Sequence, residues 1–204
     1  IAGMVERTKA KFASTVKPMN LDAAAASAIV HGIGVDEMHN SPPFPIVFER
    51  FLDFLRGAAD TALAMHLDSD DESEQFEDMP SLQCPPPEIV LAAHNGVRYD
   101  GPVIVHECVR HGLSVARLGE FKWLDTLHVA QACKFAPCLK LQCLVNNLAA
   151  EQQLCAHRAL DDVLALDVVL RNGAEQWSMQ LAQMVQPFVL DFDVISTLVD
   201  LSFS

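Results

Sequence analysis

Two short segments carry residue types that could do chemistry at the ends of regular elements. The first is residues 94–100 (HNGVRYD), which follow an apolar run and lead into a helical pattern. In a sheet covered by helices, ligands bind at the carboxyl ends of the strands, so Asn95 and Asp100 could face a cleft. Asn-Gly also marks a turn, and Asp100 could instead cap the following helix. This segment alone leaves both interpretations open.

The second segment is residues 157–162 (HRALDD), at the start of the most apolar helical pattern in the chain. A carboxylate such as Asp162 among apolar residues needs a partner, because burying an unpaired charge is costly, and a divalent metal would supply one. A histidine at the entrance of a helix can act as a base near neutral pH, so His157 could take a proton from water. In the other interpretation, Asp161 and Asp162 only favour the helix N-terminus electrostatically, and His157 lies on the surface.

The elements that must position these residues alternate between strand and helix patterns. Apolar runs predict a hairpin of residues 1–5 with 12–16 and two buried strands at 88–93 and 122–127. Helical spacing predicts helices at 21–30 (capped by Asn20), 47–66, 102–111, 139–148, 160–170 and 174–186, the last ended by Pro187. This alternation predicts an α/β fold with helices on both faces of a sheet. We find no internal repeat and no sign of a second domain.

The charge of the chain limits its possible partners. The net charge of −13 argues against broad, nonspecific binding to nucleic acid, which generally needs a basic face. Seven of the acidic residues lie between positions 67 and 79, and without them the net charge is −6. That run predicts a solvated loop insertion at 67–80. No apolar stretch is long enough for a membrane helix, so we expect no membrane partner.

The six cysteines include no CxxC pair. Most lie among apolar residues, where a free thiol behaves as a small hydrophobe. The first residues show no secretory signal, which also favours free thiols. We therefore expect an intracellular, reducing compartment. A zinc site formed by Cys133, Cys138 and Cys143 is a weaker alternative, because structural zinc sites usually use tighter pairs.

The ordered series of a strand with HNGxxYD, then LDT, then HRALDD resembles the DEDDh (DnaQ-like) 3′–5′ exonuclease family. Residues 14–38 (STVKPMNLDAAAASAIVHGIGVDEM) also resemble that family, so the likeness extends from residue 1 to 172. The resemblance implies an α/β, ribonuclease H-like mixed sheet with helices on both faces. It places an exonuclease-like domain at 1–186 and leaves an apolar C-terminal extension at 187–204.

The resemblance also implies roles for particular residues. Asp100 and Asp162 would be metal ligands, His157 the general base, and Asn95 part of the cleft around the terminal nucleotide. The cofactor would be Mg²⁺ or Mn²⁺, with two ions in a complete site, and the substrate the 3′ end of a single-stranded nucleic acid, RNA or DNA. Asp125 in the LDT strand would make a structural hydrogen bond.

One departure from the family pattern is large. The family's first motif, an Asp-x-Glu strand, should precede the run IAGMV at residues 1–5. We consider three explanations: the chain is truncated, the protein is a degenerate scaffold, or the carboxylates come from elsewhere. Asp191 and Asp193 are candidates for the last, through a circular permutation, although residues 188–193 could equally be a C-terminal strand or interface segment. The alternative function is an inactive exonuclease-like subunit that contacts a protein partner or a second copy through its C-terminal extension.

Overall fold

The computed structural model describes residues 2–4, 9–26, 28, 32–67, 88–149 and 159–195. Within them the helices are α1 (Leu21–Ala26), α2 (Val35–Asn40), α3 (Phe44–Leu67), α4 (Asp100–Arg110), α5 (Thr126–Ala132), α6 (Leu141–Leu148), α7 (Ala159–Gln176) and α8 (Leu181–Val185). The strands are β1 (Ala2–Met4), β2 (Lys11–Ala13), β3 (Val90–Ala93), β4 (Lys122–Asp125) and β5 (Val189–Leu190). The predicted acidic loop, apart from residue 67, and His157 lie outside the described residues.

The strands form two small sheets. β1 and β2 pair as an antiparallel hairpin, and the other sheet has the order β3–β4–β5. β3 and β4 are parallel, with Ala93 opposite Asp125, and α4 lies between them in the chain. β5 runs antiparallel to β4, with Val189 opposite Leu124. The carboxyl ends of β3 and β4 therefore lie side by side at the same end of the sheet, where a ligand site is expected.

The core has two parts, one on each face of β4. Trp123 packs with the buried residues of α3 and α4, whereas Leu124 packs with those of α5, α6 and α7. Successive residues of a strand point to opposite faces, so β4 separates the two clusters. Helix α3 supplies much of the first cluster because its buried residues recur every three or four positions, at Phe44, Val47, Phe48, Phe51, Leu52 and Leu55.

The segment after Pro187 contributes to the same core. Phe192 and Ile195 are buried in the first cluster, and β5 completes the edge of the sheet beside β4. Up to residue 195, the residues of the predicted C-terminal extension are therefore packed against the rest of the chain.

The mixed α/β class predicted from the sequence is confirmed. The hairpin, both strands and the helices near 47–66, 102–111, 139–148 and 160–170 are present with shifted ends. Asn20 caps α1, since its side-chain oxygen accepts a hydrogen bond from the Ala23 N–H at 3.0 Å. Helix α2 was not predicted.

The prediction of one helix over 174–186 is wrong. Helix α7 continues to Gln176 and then ends, and α8 begins at Leu181. Ser178 adopts a left-handed conformation with φ of 51°, and the Met179 N–H donates to the Ala174 carbonyl at 2.9 Å. This closing geometry ends a helix, and it usually needs glycine.

Among the described helices, none is both long and apolar enough to cross a membrane.

Candidate functional site

A tight turn connects β3 to α4 and positions Asn95 and Asp100. Asn95 has a left-handed φ of 61°, and its carbonyl accepts hydrogen bonds from the Arg98 and Tyr99 N–H groups. Gly96 has no room for a side chain, because an added Cβ would lie 2.6 Å from the Ala93 Cβ. Helix α4 then begins at Asp100. The Asn-Gly pair thus makes the turn that the sequence predicted.

Asp125 holds this turn against the end of β4. Its Oδ1 accepts hydrogen bonds from the backbone N–H groups of Asn95 at 2.8 Å and Leu127 at 3.0 Å. Its Oδ2 accepts one from Val97 at 3.2 Å. Asp125 is only 2% exposed, so these three donors replace its hydration. The structural role predicted for Asp125 is confirmed.

His94 connects the turn to a second wall of the site. Its Nδ1 lies 3.1 Å from the Thr126 hydroxyl, and its Nε2 lies 2.8 Å from the Leu139 carbonyl oxygen. Because a carbonyl oxygen can only accept, Nε2 carries the proton in this hydrogen bond, and Nδ1 can accept from Thr126. His94 is therefore held in one orientation and joins the end of β3 to the segment before α6.

An open cleft of about 570 Å³ lies between these walls. On one side it is lined by the turn and the start of α5, and on the other by the segment leading into α6. The lining residues are His94, Asn95, Tyr99, Leu127, Cys138, Leu139, Lys140 and Leu141. An exposed aromatic ring, a lysine and several leucines could contact the base and phosphate of one nucleotide.

A disulfide between Cys138 and Cys143 closes one wall of the cleft, with a Cα–Cα distance of 5.8 Å. The sequence-based prediction of free thiols is therefore wrong for these two residues, and so is the zinc alternative, because two of its three sulfurs are bonded to each other. Cys108 and Cys133 are free. Sequence spacing does not reveal how close two cysteines come, so this feature carried no signal in the sequence.

Asp100 lies at the first position of α4 and not at its N-cap, which is Tyr99. Burial by surrounding protein raises the pKa of the Asp100 carboxyl, and the negative charges of Asp125 and Asp162 raise it further. Its own backbone N–H and His94 act in the opposite direction. The Asp100 residue is nevertheless exposed to solvent. The Asp100 side chain is thus partly surrounded by protein atoms, but water or an ion can reach it.

Asp162 comes from a different part of the chain and lies near Asp100. It is half-buried in the first turn of α7, next to Asp161. The negative charge of Asp162 is one of the smaller causes that raise the pKa of the Asp100 carboxyl, and Asn95 lies in the turn before Asp100. His157, the predicted base, lies outside the described residues. Helix α7 begins two residues after it.

Asp191 lies at the other end of β4. Leu190 is opposite Trp123, so Asp191 falls beside Lys122, three residues before Asp125. Lys122 Nζ donates a hydrogen bond to Asp191 Oδ1, and this bond raises the pKa of Lys122. The circular-permutation hypothesis places this segment beside residues 1–5, whereas β5 pairs with β4 and lies in a different sheet from β1.

In the part of the chain that the structure describes, no group of three or more His, Cys, Asp or Glu side chains could hold a metal ion. No protein-family model and no curated protein matches this chain. The site residues predicted from the sequence do not include His94, Tyr99, Leu139 or Lys140, which form the cleft together with the disulfide. Their contribution depends on the distance between the two walls, which no local pattern encodes.

Proposed function

We propose that this chain is a metal-dependent 3′–5′ exonuclease that hydrolyses the terminal phosphodiester bond of a single-stranded nucleic acid. The observation that carries this proposal is that the negative charge of Asp162, from a helix far away in the sequence, contributes to the raised pKa of the Asp100 carboxyl, while Asn95 and Tyr99 just before Asp100 line the cleft. Like charges repel, so two carboxylates are held near each other at a cost unless a cation lies between them. The order of the motifs in the sequence agrees with this proposal.

The two carboxylates fit a hard divalent ion. Mg²⁺ is commonly bound by one or two carboxylates, with water and substrate phosphate completing its coordination. Asp100 and Asp162 would hold the ion, which when bound would neutralise phosphate charge and lower the pKa of a bound water. A second ion would need ligands beyond these two.

The chain's own residues would orient the substrate. Asn95 and Tyr99 line the cleft on the side of Asp100, so a terminal base could stack on Tyr99 while Asn95 contacts the sugar or base. Lys140 on the opposite wall could contact a neighbouring phosphate. By resemblance, His157 would take the proton of the attacking water.

The ribonuclease H-like fold is part of the proposal. It is supported by a parallel β3–α4–β4 unit, by helices packed on both faces of β4, and by a separate antiparallel hairpin.

The second candidate is an inactive exonuclease-like subunit that binds a protein partner. It is favoured by one observation: no third metal ligand accompanies Asp100 and Asp162 among the described residues. Phe192 and Ile195 are buried within the chain, so a partner would have to use other apolar positions.

The test is degradation of 5′-labelled single-stranded RNA and DNA in Mg²⁺ or Mn²⁺, together with Mn²⁺ binding followed by electron paramagnetic resonance. We expect shortening from the 3′ end, and a loss of about 100-fold or more in Asp100→Asn and Asp162→Asn. The matched control is Asp161→Asn, one residue away in the same helical turn, which should retain activity. If the unsubstituted chain neither shortens the strand nor binds Mn²⁺, the exonuclease proposal fails and the interaction subunit is favoured.

A further inference from the structure

The disulfide and one wall of the cleft belong to the same short loop. Leu139, Lys140 and Leu141 lie between Cys138 and Cys143, and all three line the cleft. We propose that the oxidation state of Cys138 and Cys143 controls the order of this wall and, through it, the affinity of the cleft for its ligand. The inference rests on the proposed function for the identity of that ligand, a single-stranded 3′ end.

The loop has few other restraints among the described residues. Lys140 is the N-cap of α6, but its backbone is extended and its side chain makes no capping hydrogen bond. Lysine cannot accept the hydrogen bonds that the first N–H groups of a helix offer. The restraints on this loop are the disulfide, the hydrogen bond from His94 to the Leu139 carbonyl, the first backbone hydrogen bonds of α6, and the packing of the partly buried Leu139 and Leu141 side chains against the second core cluster.

The residues on either side of the loop are firmly anchored. Phe135 is 2% exposed and packs closely against Gly173 of α7, and its carbonyl accepts a hydrogen bond from Asn147 at 2.9 Å. Leu144 and Val145 of α6 are fully buried. Opening the disulfide would therefore loosen the wall of the cleft while leaving the two cores in place.

A dithiol reagent can reduce the Cys138–Cys143 disulfide because both cysteines are only half-buried. One thiolate of the reagent attacks a sulfur of the disulfide, breaking the S–S bond and forming a mixed disulfide. The second thiolate then displaces the protein sulfur and closes the reagent into a cyclic disulfide. Two electrons and two protons pass to the protein, which ends with thiols on Cys138 and Cys143.

Reduction should weaken binding because the loop must then be ordered again when the ligand enters. Fixing the backbone of one residue corresponds to about a tenfold loss in affinity. We expect a loss of about this size on reduction, since the loop is short and its ends stay fixed.

The experiment combines amide hydrogen exchange with binding of a fluorescent oligonucleotide that has a nonhydrolysable 3′ linkage. Wild-type protein is compared with and without dithiothreitol, after mass spectrometry of alkylated protein has established the state of each cysteine. The Cys138→Ser/Cys143→Ser double variant should exchange quickly at Leu144, whose N–H donates to the Lys140 carbonyl at 3.0 Å, and bind weakly whether or not reductant is present. Cys133→Ser, which leaves the disulfide intact, should respond to reductant as the wild type does.

Exchange of the Leu144 amide that rises about tenfold or more on reduction, together with weaker binding, supports the inference. Unchanged exchange, or a change in exchange that leaves measurable binding unaltered, overturns it. A cysteine pair that mass spectrometry finds unlinked under oxidising conditions also overturns it. If exchange rises but no oligonucleotide binds in either state, redox control of the wall is supported, and the proposed function is the part that fails.

Discussion

His94 and Leu139 join the two walls of the cleft, with the Nε2 of His94 2.8 Å from the Leu139 carbonyl oxygen. His94 follows β3 and Leu139 belongs to the disulfide loop, so this hydrogen bond connects the two walls directly.

We expect His94→Ala to loosen the loop without unfolding the protein. A neutral hydrogen bond contributes about 1 kcal/mol, so oligonucleotide binding should weaken by roughly fivefold. Fluorescence anisotropy measures the affinity, and hydrogen exchange of the Leu144 amide, which donates to the Lys140 carbonyl, measures the order of the loop. The control is His128→Ala, at an exposed position of α5. Equal affinities for the two variants would contradict a bridging role for His94.

The raised pKa of Asp100 predicts a pH-dependent effect on stability. An acid whose pKa is higher in the folded than in the unfolded protein stabilises the fold most below its unfolded pKa, and this contribution is lost as the pH rises through the folded value. Asp100→Asn removes the charge at every pH. Without metal, we expect the variant to melt higher than the wild type near pH 7, by about 1–2 °C, and the difference to vanish below about pH 4.

With added Mg²⁺ the wild type should melt at a higher temperature than Asp100→Asn, because the ion favours the ionised carboxylate. The wild type should gain thermal stability with Mg²⁺ and Asp100→Asn should gain less, as measured by thermal unfolding. Asp36→Asn, in the first turn of α2, controls for removing an acidic residue near a helix start. An identical Mg²⁺ response in wild type and Asp100→Asn would count against metal binding by Asp100.

Substitution of Asp125 in β4 should greatly lower the free energy of unfolding. Asp125→Ala leaves three backbone N–H groups without their acceptor, and we expect a loss of about 3 kcal/mol or more in the free energy of unfolding. Asp125→Asn can keep one oxygen toward Asn95 and Leu127 but turns an NH₂ group toward the Val97 N–H. Its loss should therefore be intermediate. Denaturant unfolding measures both variants, and a loss in Asp125→Asn as large as in Asp125→Ala would contradict the assignment of the two oxygens.

Replacing either of two helical glycines by alanine should change the free energy of unfolding, but in opposite directions. At Gly173 an added Cβ would lie 2.3 Å from the Phe135 ring, so Gly173→Ala should destabilise the protein by about 1–3 kcal/mol. Gly57 in α3 has no atom within 4 Å of an added Cβ, so Gly57→Ala should stabilise by about 0.5–1 kcal/mol through the unfolded state. Denaturant unfolding distinguishes the two. A neutral Gly173→Ala would mean that Phe135 can move away.

Local patterns in the sequence were enough to predict much of the fold. The recurrence of Phe48, Phe51, Leu52 and Leu55 predicts α3, and the apolar run before His94 predicts β3. The end of α7 could not be predicted in the same way, because Ser178 takes a left-handed conformation that is usually marked by glycine.

The candidate site was predictable only in part. Asn95, Asp100 and Asp162 were named from the sequence, and the roles assigned to them stay predictions. The opposite wall could not be foreseen, since the Cys138–Cys143 bond and the His94–Leu139 contact depend on how far apart segments come to lie in space. The same limit applies to Asp191, whose position depends on the direction in which β5 runs beside β4.

The pairing of β5 with β4 also bears on the order in which the chain folds. β4 is made before α5, α6, α7 and α8, and β5 after them, so the last strand of the sheet can pair only when all the intervening helices have been synthesised. Until then, the β4 edge and the Trp123 side of the first core lack Phe192 and Ile195. A nascent chain that has reached only α7 would expose the unpaired edge of β4 and the uncovered Trp123 side of the core, so we expect this intermediate to aggregate readily and to depend on chaperones.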